Sequence, residues 1–238
     1  MARFLLVHGS CHGAWCWRAV IPALEALGHS ALAIDLPGHG SDRTPLESVT
    51  LESYRDAVLA ASTPETIIVG HSMAGYPISA AAESAPDRMA GLIFVCAYVP
   101  VDNLSLAEMR RAAPRQPLLP AIVISEDRLS YSIDPAQLET VFYHDCPDGT
   151  LELAKENLCP QPIRPQETAI SLTTRFASVR KSYIRCTQDQ TIPPEYQQTM
   201  TNSWPRGDVY EMSTGHSPFF ADPSGLAGLL DQISKEFT

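Results

Sequence analysis

The stretch Thr66-Ile-Ile-Val-Gly-His-Ser-Met-Ala-Gly75 limits what this chain can fold into more than any other. Ile67, Ile68 and Val69 are three β-branched residues in a row and read as a buried strand running into Gly70. Beyond Gly75 the composition becomes helix-forming, Ile78-Ser-Ala-Ala-Ala-Glu83, until Pro86 ends it. The turn between them holds one serine, Ser72, with the small residues Gly70 and Ala74 on either side. A nucleophile elbow needs this pattern, because a sharp strand-to-helix turn strains its serine and only small neighbours fit beneath it. The following helix points its free N–H groups and positive end at Ser72, which favours negative charge developing on a bound carbonyl oxygen. The match to Gly-x-Ser-x-Gly has one departure: Ala74 stands at the last glycine, and Gly75 comes one residue late. The plainer role for Ser72 is a helix cap after a buried strand.

The rest of the chain supplies a frame for the elbow. Arg3-Phe-Leu-Leu-Val7 is a short apolar strand, followed by the loop His8-Gly-Ser-Cys-His-Gly-Ala-Trp15, whose two glycines let backbone N–H groups turn toward a pocket. Trp17 to Leu27 has helical periodicity, with Gly28 ending it. Ala31–Asp35 is a second strand, Leu51–Ala61 a second helix, and Ala90–Ala97 the strand after the elbow helix. The alternation resumes late in the chain with a strand at Ser182–Thr187, a helix at Pro193–Trp204, a strand at Asp208–Met212 and a terminal helix at Leu226–Ile233. Six strands alternating with helices predict an α/β fold: a mostly parallel sheet with helices on both faces and functional groups at the carboxyl ends of the strands.

From residue 101 to 178 the alternation breaks and proline becomes frequent (Pro114, Pro117, Pro120, Pro135, Pro147). Ala121 to Ile133 reads as a hairpin turning near Glu126-Asp127, and Asp134-Pro135 as an N-cap and first helical position. Leu118, Ile122, Leu138, Phe142 and Leu151 carry enough apolar surface to pack, so the segment is expected to be a lid inserted into a core of residues 1–100 and 179–238 rather than a linker.

Composition removes several classes of partner. A formal charge of −10 without any basic run argues against nucleic acid and acidic membranes. The longest apolar stretch, Leu92 to Val101, is half of what a bilayer span needs. No basic n-region precedes the first strand, so no signal peptide is expected. The six cysteines have no Cys-x-x-Cys spacing and read as free thiols of a reducing cytoplasm. With no metal-ligand spacing and no phosphate-cradling glycine loop, no cofactor is implied.

A serine nucleophile requires a base, an acid to orient the base, and donors for the oxyanion. The order Ser, Asp, His along the chain is the one this sheet topology calls for. His216, beside Gly215 in the loop after the last strand, is the expected base. Asp189, after the preceding strand, is the expected acid, with Asp102 as its rival past the fourth strand; Asp222 follows His216 too closely. His8, His12, His39 and His71 each adjoin a glycine and read as turn-holding residues, His29 as a solvent residue, and His144 as part of the lid. The oxyanion donors should be the backbone N–H groups of Met73 and Ser10.

Four segments together, His8-Gly-Ser-Cys-His-Gly-Ala-Trp-Cys-Trp17, Asp35-Leu-Pro-Gly-His-Gly40, Gly70–Gly75 and Gly215-His-Ser-Pro-Phe-Phe220, resemble the α/β-hydrolase superfamily. Within it they are similar to the branch holding plant methylesterases and hydroxynitrile lyases, and the resemblance extends to Phe142-Tyr-His-Asp-Cys146. It implies a cofactor-free Ser/His/Asp esterase acting on small-molecule esters, with a buried, largely apolar pocket under a lid, often as a homodimer. The lyases of the branch carry a threonine in the first loop and a lysine after the catalytic histidine, where this chain has Gly9 and Ser217. Without a cation beside His216, a departing cyanide loses its charge-assisted partner, so hydrolysis is the expectation. The alternatives are a hydroxynitrile lyase and a ligand sensor on a hydrolase scaffold. Dehalogenases and epoxide hydrolases of this fold use an aspartate nucleophile and are set aside by Ser72.

Overall fold

Strand β1 (Arg3–Val7) lies between β2 (Ser30–Ile34) and β3 (Thr66–His71), with all three parallel. The computed structural model describes residues 1–237. Along the chain, α1 (Val20–Ala26) joins β1 to β2, α2 (Leu51–Ala61) precedes β3, and α3 (Gly75–Ser84) leads to β4 (Gly91–Val95). The inserted segment then contributes α4 (Leu106–Ala112), β5 (Ile122–Ile124), β6 (Ser130–Ile133), α5 (Thr150–Asn157), β7 (Gln161–Pro162), α6 (Arg164–Glu167) and α7 (Thr174–Ser178). The chain closes with β8 (Lys181–Cys186), α8 (Pro194–Thr201), β9 (Val209–Met212), α9 (Pro218–Ala221) and α10 (Pro223–Ser234).

The main sheet has six parallel strands in the order β2-β1-β3-β4-β8-β9. Its central strands are buried on both faces, which is why they read as continuous apolar runs. Phe4, Leu6, Val69 and Ile93 pack into one apolar cluster with Leu24 of α1 and Leu230 of α10. Leu5, Val7, Ile68 and Leu92 face the other way, against Val58 of α2 and Ile78 of α3. The chain leaves β1 in one direction to reach β2 and returns on the other side to reach β3, so the strand order reverses there. A crevice opens at the carboxyl ends of two such strands, and the loops holding Ser10 and Ser72 lie at those ends.

The inserted segment forms a second, antiparallel sheet, β5-β6-β7, with Ile122 opposite Ile133 and Tyr131 opposite Gln161. Buried polar groups tie it to the core. Gln161 accepts a hydrogen bond from the Cys11 backbone N–H (3.3 Å) and donates one to the Tyr54 hydroxyl (3.2 Å).

Three local expectations need correction. Trp17–Leu27 is not one helix: a 3-10 turn at Ala14–Trp17 precedes α1. Asp134 does not start an α-helix; its carboxylate accepts from the Ala136 N–H (2.9 Å) in a local turn, and the chain then forms a π-helical turn at Glu139–Tyr143. An aspartate cap satisfies a tight turn as well as a helix start, so the local signal is the same for both. His29 is no solvent residue: its side chain is 5% exposed, its Nε2 lies 3.0 Å from Asp231 of α10, and its Nδ1 accepts from the Ala2 N–H. It joins the first strand to the last helix, a contact that spans nearly the whole sequence.

Candidate active site

Ser72 follows β3 with φ +55°, a left-handed conformation that a serine adopts only at a cost. Its carbonyl accepts from the Tyr98 N–H (3.1 Å), which holds the turn against the end of β4. The small residues around it answer to different neighbours. A β-carbon on Gly70 would lie 2.6 Å from Ile78 Cδ1, so α3 packs directly on the strand there. A β-carbon on Gly75 would fall inside the carbonyl oxygen of Tyr98. The glycine that comes one residue late is thus required by the backbone after β4, while the fully buried Ala74 fits where it stands.

Three side chains from three loops meet at this turn. His216 Nε2 lies 3.0 Å from Ser72 Oγ, and His216 Nδ1 lies 2.8 Å from Asp189 Oδ2. Asp189 is 1% exposed and accepts three further hydrogen bonds, from the N–H groups of Thr191 (2.6 Å) and Ile192 (2.9 Å) and from Gln197 Nε2 (2.9 Å). Four donors converge on one buried carboxylate and fix its orientation toward the His216 ring. The rival Asp102 is exposed and accepts from the Leu172 N–H (2.8 Å) and from Asn103 (2.8 Å), away from His216. Asp222 caps α10 through the Gly225 N–H.

The ring of His216 is held on several sides. Phe142, from the π-helical turn of the inserted segment, stacks on it with centroids 5.6 Å apart and planes 22° apart. Its carbonyl accepts from His71 Nε2 (2.7 Å). The preceding Gly215 N–H donates to Asp145 (2.5 Å), so the inserted segment also holds the loop that carries the histidine.

The other histidines beside the crevice are neutral. Burial pushes His12 down to about 4; its Nδ1 bonds the Ser10 carbonyl (2.7 Å) and its Nε2 the Tyr143 hydroxyl (2.7 Å). Burial, reinforced by the neighbouring His216 and His12, holds His71 well below the usual histidine range. Among the described residues, one set of side chains, His71, Cys96 and His216, brings candidate metal-ligand atoms within 4.8 Å of one another. Both nitrogens of His216 and Nε2 of His71 already serve protein hydrogen bonds, so a metal there would have to break the array described above.

Ser10 and Met73 both line the cavity beside Ser72, and among the described residues no acceptor takes the backbone N–H of Ser10. Gly9 must remain a glycine for this approach, since a β-carbon would lie 2.9 Å from Ser72 Cβ and 2.7 Å from His71 Nδ1. Sequence reasoning missed the groups behind Ser10. Gln166 of α6, 2% exposed, donates through Nε2 to Ser10 Oγ (2.8 Å) and to the Tyr131 hydroxyl (2.9 Å). Neither Gln166 nor Tyr131 has a local signature, because both reach the site only through the packing of the inserted segment. The cavity is narrow, and Tyr98, Leu106, Leu118, Tyr131 and Phe142 make most of its wall apolar.

A model of the alpha/beta hydrolase family matches residues 4–229. Methylesterase 7 of Arabidopsis thaliana is 32% identical over 252 residues, spanning 99% of this chain and 97% of its own length. Among solved structures, a pyrethroid hydrolase from Sphingobium faniae JZ-2 superposes with a TM-score of 0.86 at 27% identity, covering 98% of this chain and 97% of its own. Polyneuridine aldehyde esterase does so with a TM-score of 0.86, also at 27% identity, covering 98% and 99%. With the family match, the full-length relatives and the six-stranded parallel sheet in agreement, the chain belongs to the alpha/beta hydrolase family, in the branch of the plant methylesterases.

Proposed function

We propose that this carboxylic-ester hydrolase cleaves small to medium, largely apolar esters through an acyl-enzyme, with Ser72 as nucleophile, His216 as base and Asp189 as orienting acid. The observation that carries the proposal is the buried chain Ser72 Oγ, His216 Nε2 (3.0 Å), His216 Nδ1 and Asp189 Oδ2 (2.8 Å). In this reading, Ser72 Oγ attacks the ester carbonyl while His216 Nε2 takes its proton. The backbone N–H groups of Ser10 and Met73, both at the cavity wall, stabilise the oxyanion. His216 then protonates the leaving alcohol, and water activated by the same nitrogen releases the acid. Asp189 keeps the ring oriented with its proton on Nδ1 and stabilises the imidazolium.

Residues 101–178 serve as the lid in this mechanism: Phe142 covers the His216 ring and Gln166 braces the loop of Ser10. The names of the relatives, a methylesterase, a pyrethroid hydrolase and an aldehyde esterase, support ester hydrolysis with a broad range of substrate size. Two features weigh against cyanohydrin cleavage. Gly9 has no room for a side chain, and Ser217, next to His216, is fully buried, with a hydroxyl that has no partner among the described residues, in place of a cation.

Ser72→Ala tests the mechanism. It should lower ester turnover by about three orders of magnitude or more while the fold persists, because only the oxyanion donors and binding remain. Near-normal turnover by the folded variant would remove Ser72 from the reaction.

A further inference from the structure

The wall of the cavity carries one group that ester hydrolysis does not use. Leu106 and Arg110, one turn apart on α4, both line the cavity, as residues four apart on a helix share a face. Arg110 is the one lining residue with a permanent charge. The histidines His12 and His71, which also line the cavity, are held neutral by burial.

Arg110 is half-buried, and among the described residues its guanidinium has no hydrogen-bond or ion-pair partner; it lies over the Tyr131 ring, 6.0 Å from the centroid. The acid closest to it in sequence is committed elsewhere: Glu108 accepts from the Ser105 N–H (2.8 Å) and hydroxyl (2.7 Å) to cap α4. In a chain with 27 acidic and 17 basic residues, acidic partners are abundant, and this arginine faces the cavity without one. Withdrawing a charge from water without a partner costs stability, whereas a guanidinium matched to a carboxylate makes two parallel charge-assisted bonds.

The groups along this wall also set an order. Tyr131 has Arg110 over its ring and its hydroxyl on Gln166, and Gln166 bonds Ser10 at the oxyanion end. A substrate whose ester carbonyl sits at Ser10 and Ser72 would therefore run past Tyr131 before reaching the cation.

We infer that Arg110 binds a carboxylate at the far end of the acyl chain, so that the preferred substrates are half-esters of dicarboxylic acids with several methylenes between ester and acid. The inference rests on the esterase reading above and narrows it: an apolar chain fills the middle of the cavity and an anion ends it. Hydrolysis consumes one water and releases the alcohol, the dicarboxylate and one proton, which a pH-stat can follow.

The test compares kcat/KM for monomethyl succinate, adipate and suberate with that for methyl heptanoate, which lacks the acid. Arg110→Gln should lower the ratio of monomethyl adipate to methyl heptanoate by about 10- to 100-fold, with Arg110→Lys intermediate, as loss of a charge-assisted pair implies. Turnover of methyl heptanoate should change less than threefold, a readout that simple misfolding would move. In parallel, calorimetric titration of monomethyl adipate into Ser72→Ala should give binding that Arg110→Gln weakens at least fivefold in the same background. A ratio within threefold of wild type in Arg110→Gln, or binding unaffected by it, overturns the inference and leaves the esterase reading intact. Undiminished turnover by Ser72→Ala removes Ser72 from the reaction, and the adipate-to-heptanoate ratio in Arg110→Gln still decides whether Arg110 holds the carboxylate.

Discussion

Replacing Asp189 by asparagine tests the assignment of the acid, and the hydrogen bonds around that residue determine what the change should do. Oδ1 receives two backbone N–H groups, of Thr191 and Ile192, and Oδ2 receives His216 Nδ1 and Gln197 Nε2. An asparagine has one oxygen and one NH2. Keeping the oxygen toward the two backbone donors preserves the loop but turns the NH2 toward His216 and Gln197. The ring of His216 then answers with an unprotonated Nδ1 and carries its proton on Nε2, pointing at Ser72, where it cannot accept one. In serine hydrolases of this chemistry the same exchange lowers kcat about 10⁴-fold, or about 5.5 kcal/mol of transition-state stabilisation. The opposite rotamer sets the NH2 against the two backbone donors of Thr191 and Ile192, so it offers no escape. The assay is steady-state hydrolysis of p-nitrophenyl butyrate by the wild type, Asp189→Asn and Asp102→Asn, with circular dichroism to confirm folding. Asp102→Asn should stay within threefold of wild type, since its contacts are with Leu172 and Asn103 at the surface. A folded Asp189→Asn within tenfold of wild type, or an Asp102→Asn that is the crippled variant, would refute the reasoning.

Other consequences can be measured independently. Gly75→Ala should destabilise by about 4 kcal/mol or more, because the new β-carbon meets the Tyr98 carbonyl, whereas Ala74→Gly should keep activity and lose about 1 kcal/mol at most; urea melts that rank the two the other way would refute this account of the late glycine. Burial holds His8 at about 3 and His12 at about 4, below the roughly 6.5 of an unfolded histidine. Between those values the unfolded chain binds more protons, so their contribution is complete above about pH 6.5 and is lost as the pH falls toward 4, each supplying up to about 1.4 kcal/mol per pH unit. Thermal melts should therefore show Tm falling steeply from pH 6.5 to 4, and a flat profile down to pH 4.5 would contradict the buried neutral rings. A parallel assay of p-nitrophenyl butyrate and mandelonitrile should give ester cleavage without cyanide release above background, because a neutral Ser217 lacks the charge-assisted contact that a leaving cyanide needs; cyanide release comparable with the esterase rate would sink that assignment.

What local chemistry dictates was legible along the chain. A β-branched run bounded by glycine reads as a buried strand, and a serine between Gly70 and a helix-forming stretch reads as the turn that joins them. α2 was therefore readable to the residue, at Leu51–Ala61, and β3 to within a residue or two. Loops after parallel strands also open on one rim, which is why Ser10, Ser72, Asp189 and His216 could be named together before any distance was known. Asp189 was the expected acid with Asp102 as its rival, since each follows a strand end, and the donors that distinguish their surroundings are set only by folding. Those donors, Thr191, Ile192 and Gln197, are specified by the turn into α8 and carry no motif. Gln166, Tyr131 and Arg110 depend on how a proline-rich insertion folds back over the sheet, and their partners lie far away in sequence, so no periodicity announces them. The same holds for Gly75, whose need for a hydrogen in place of a side chain comes from the carbonyl of Tyr98, after the next strand. Sequence determines the turn that carries Ser72, since that depends on a few adjacent dihedral angles. Tertiary packing decides the surroundings that tune it, since these are contacts between segments that meet only once the sheet and its insertion have closed together.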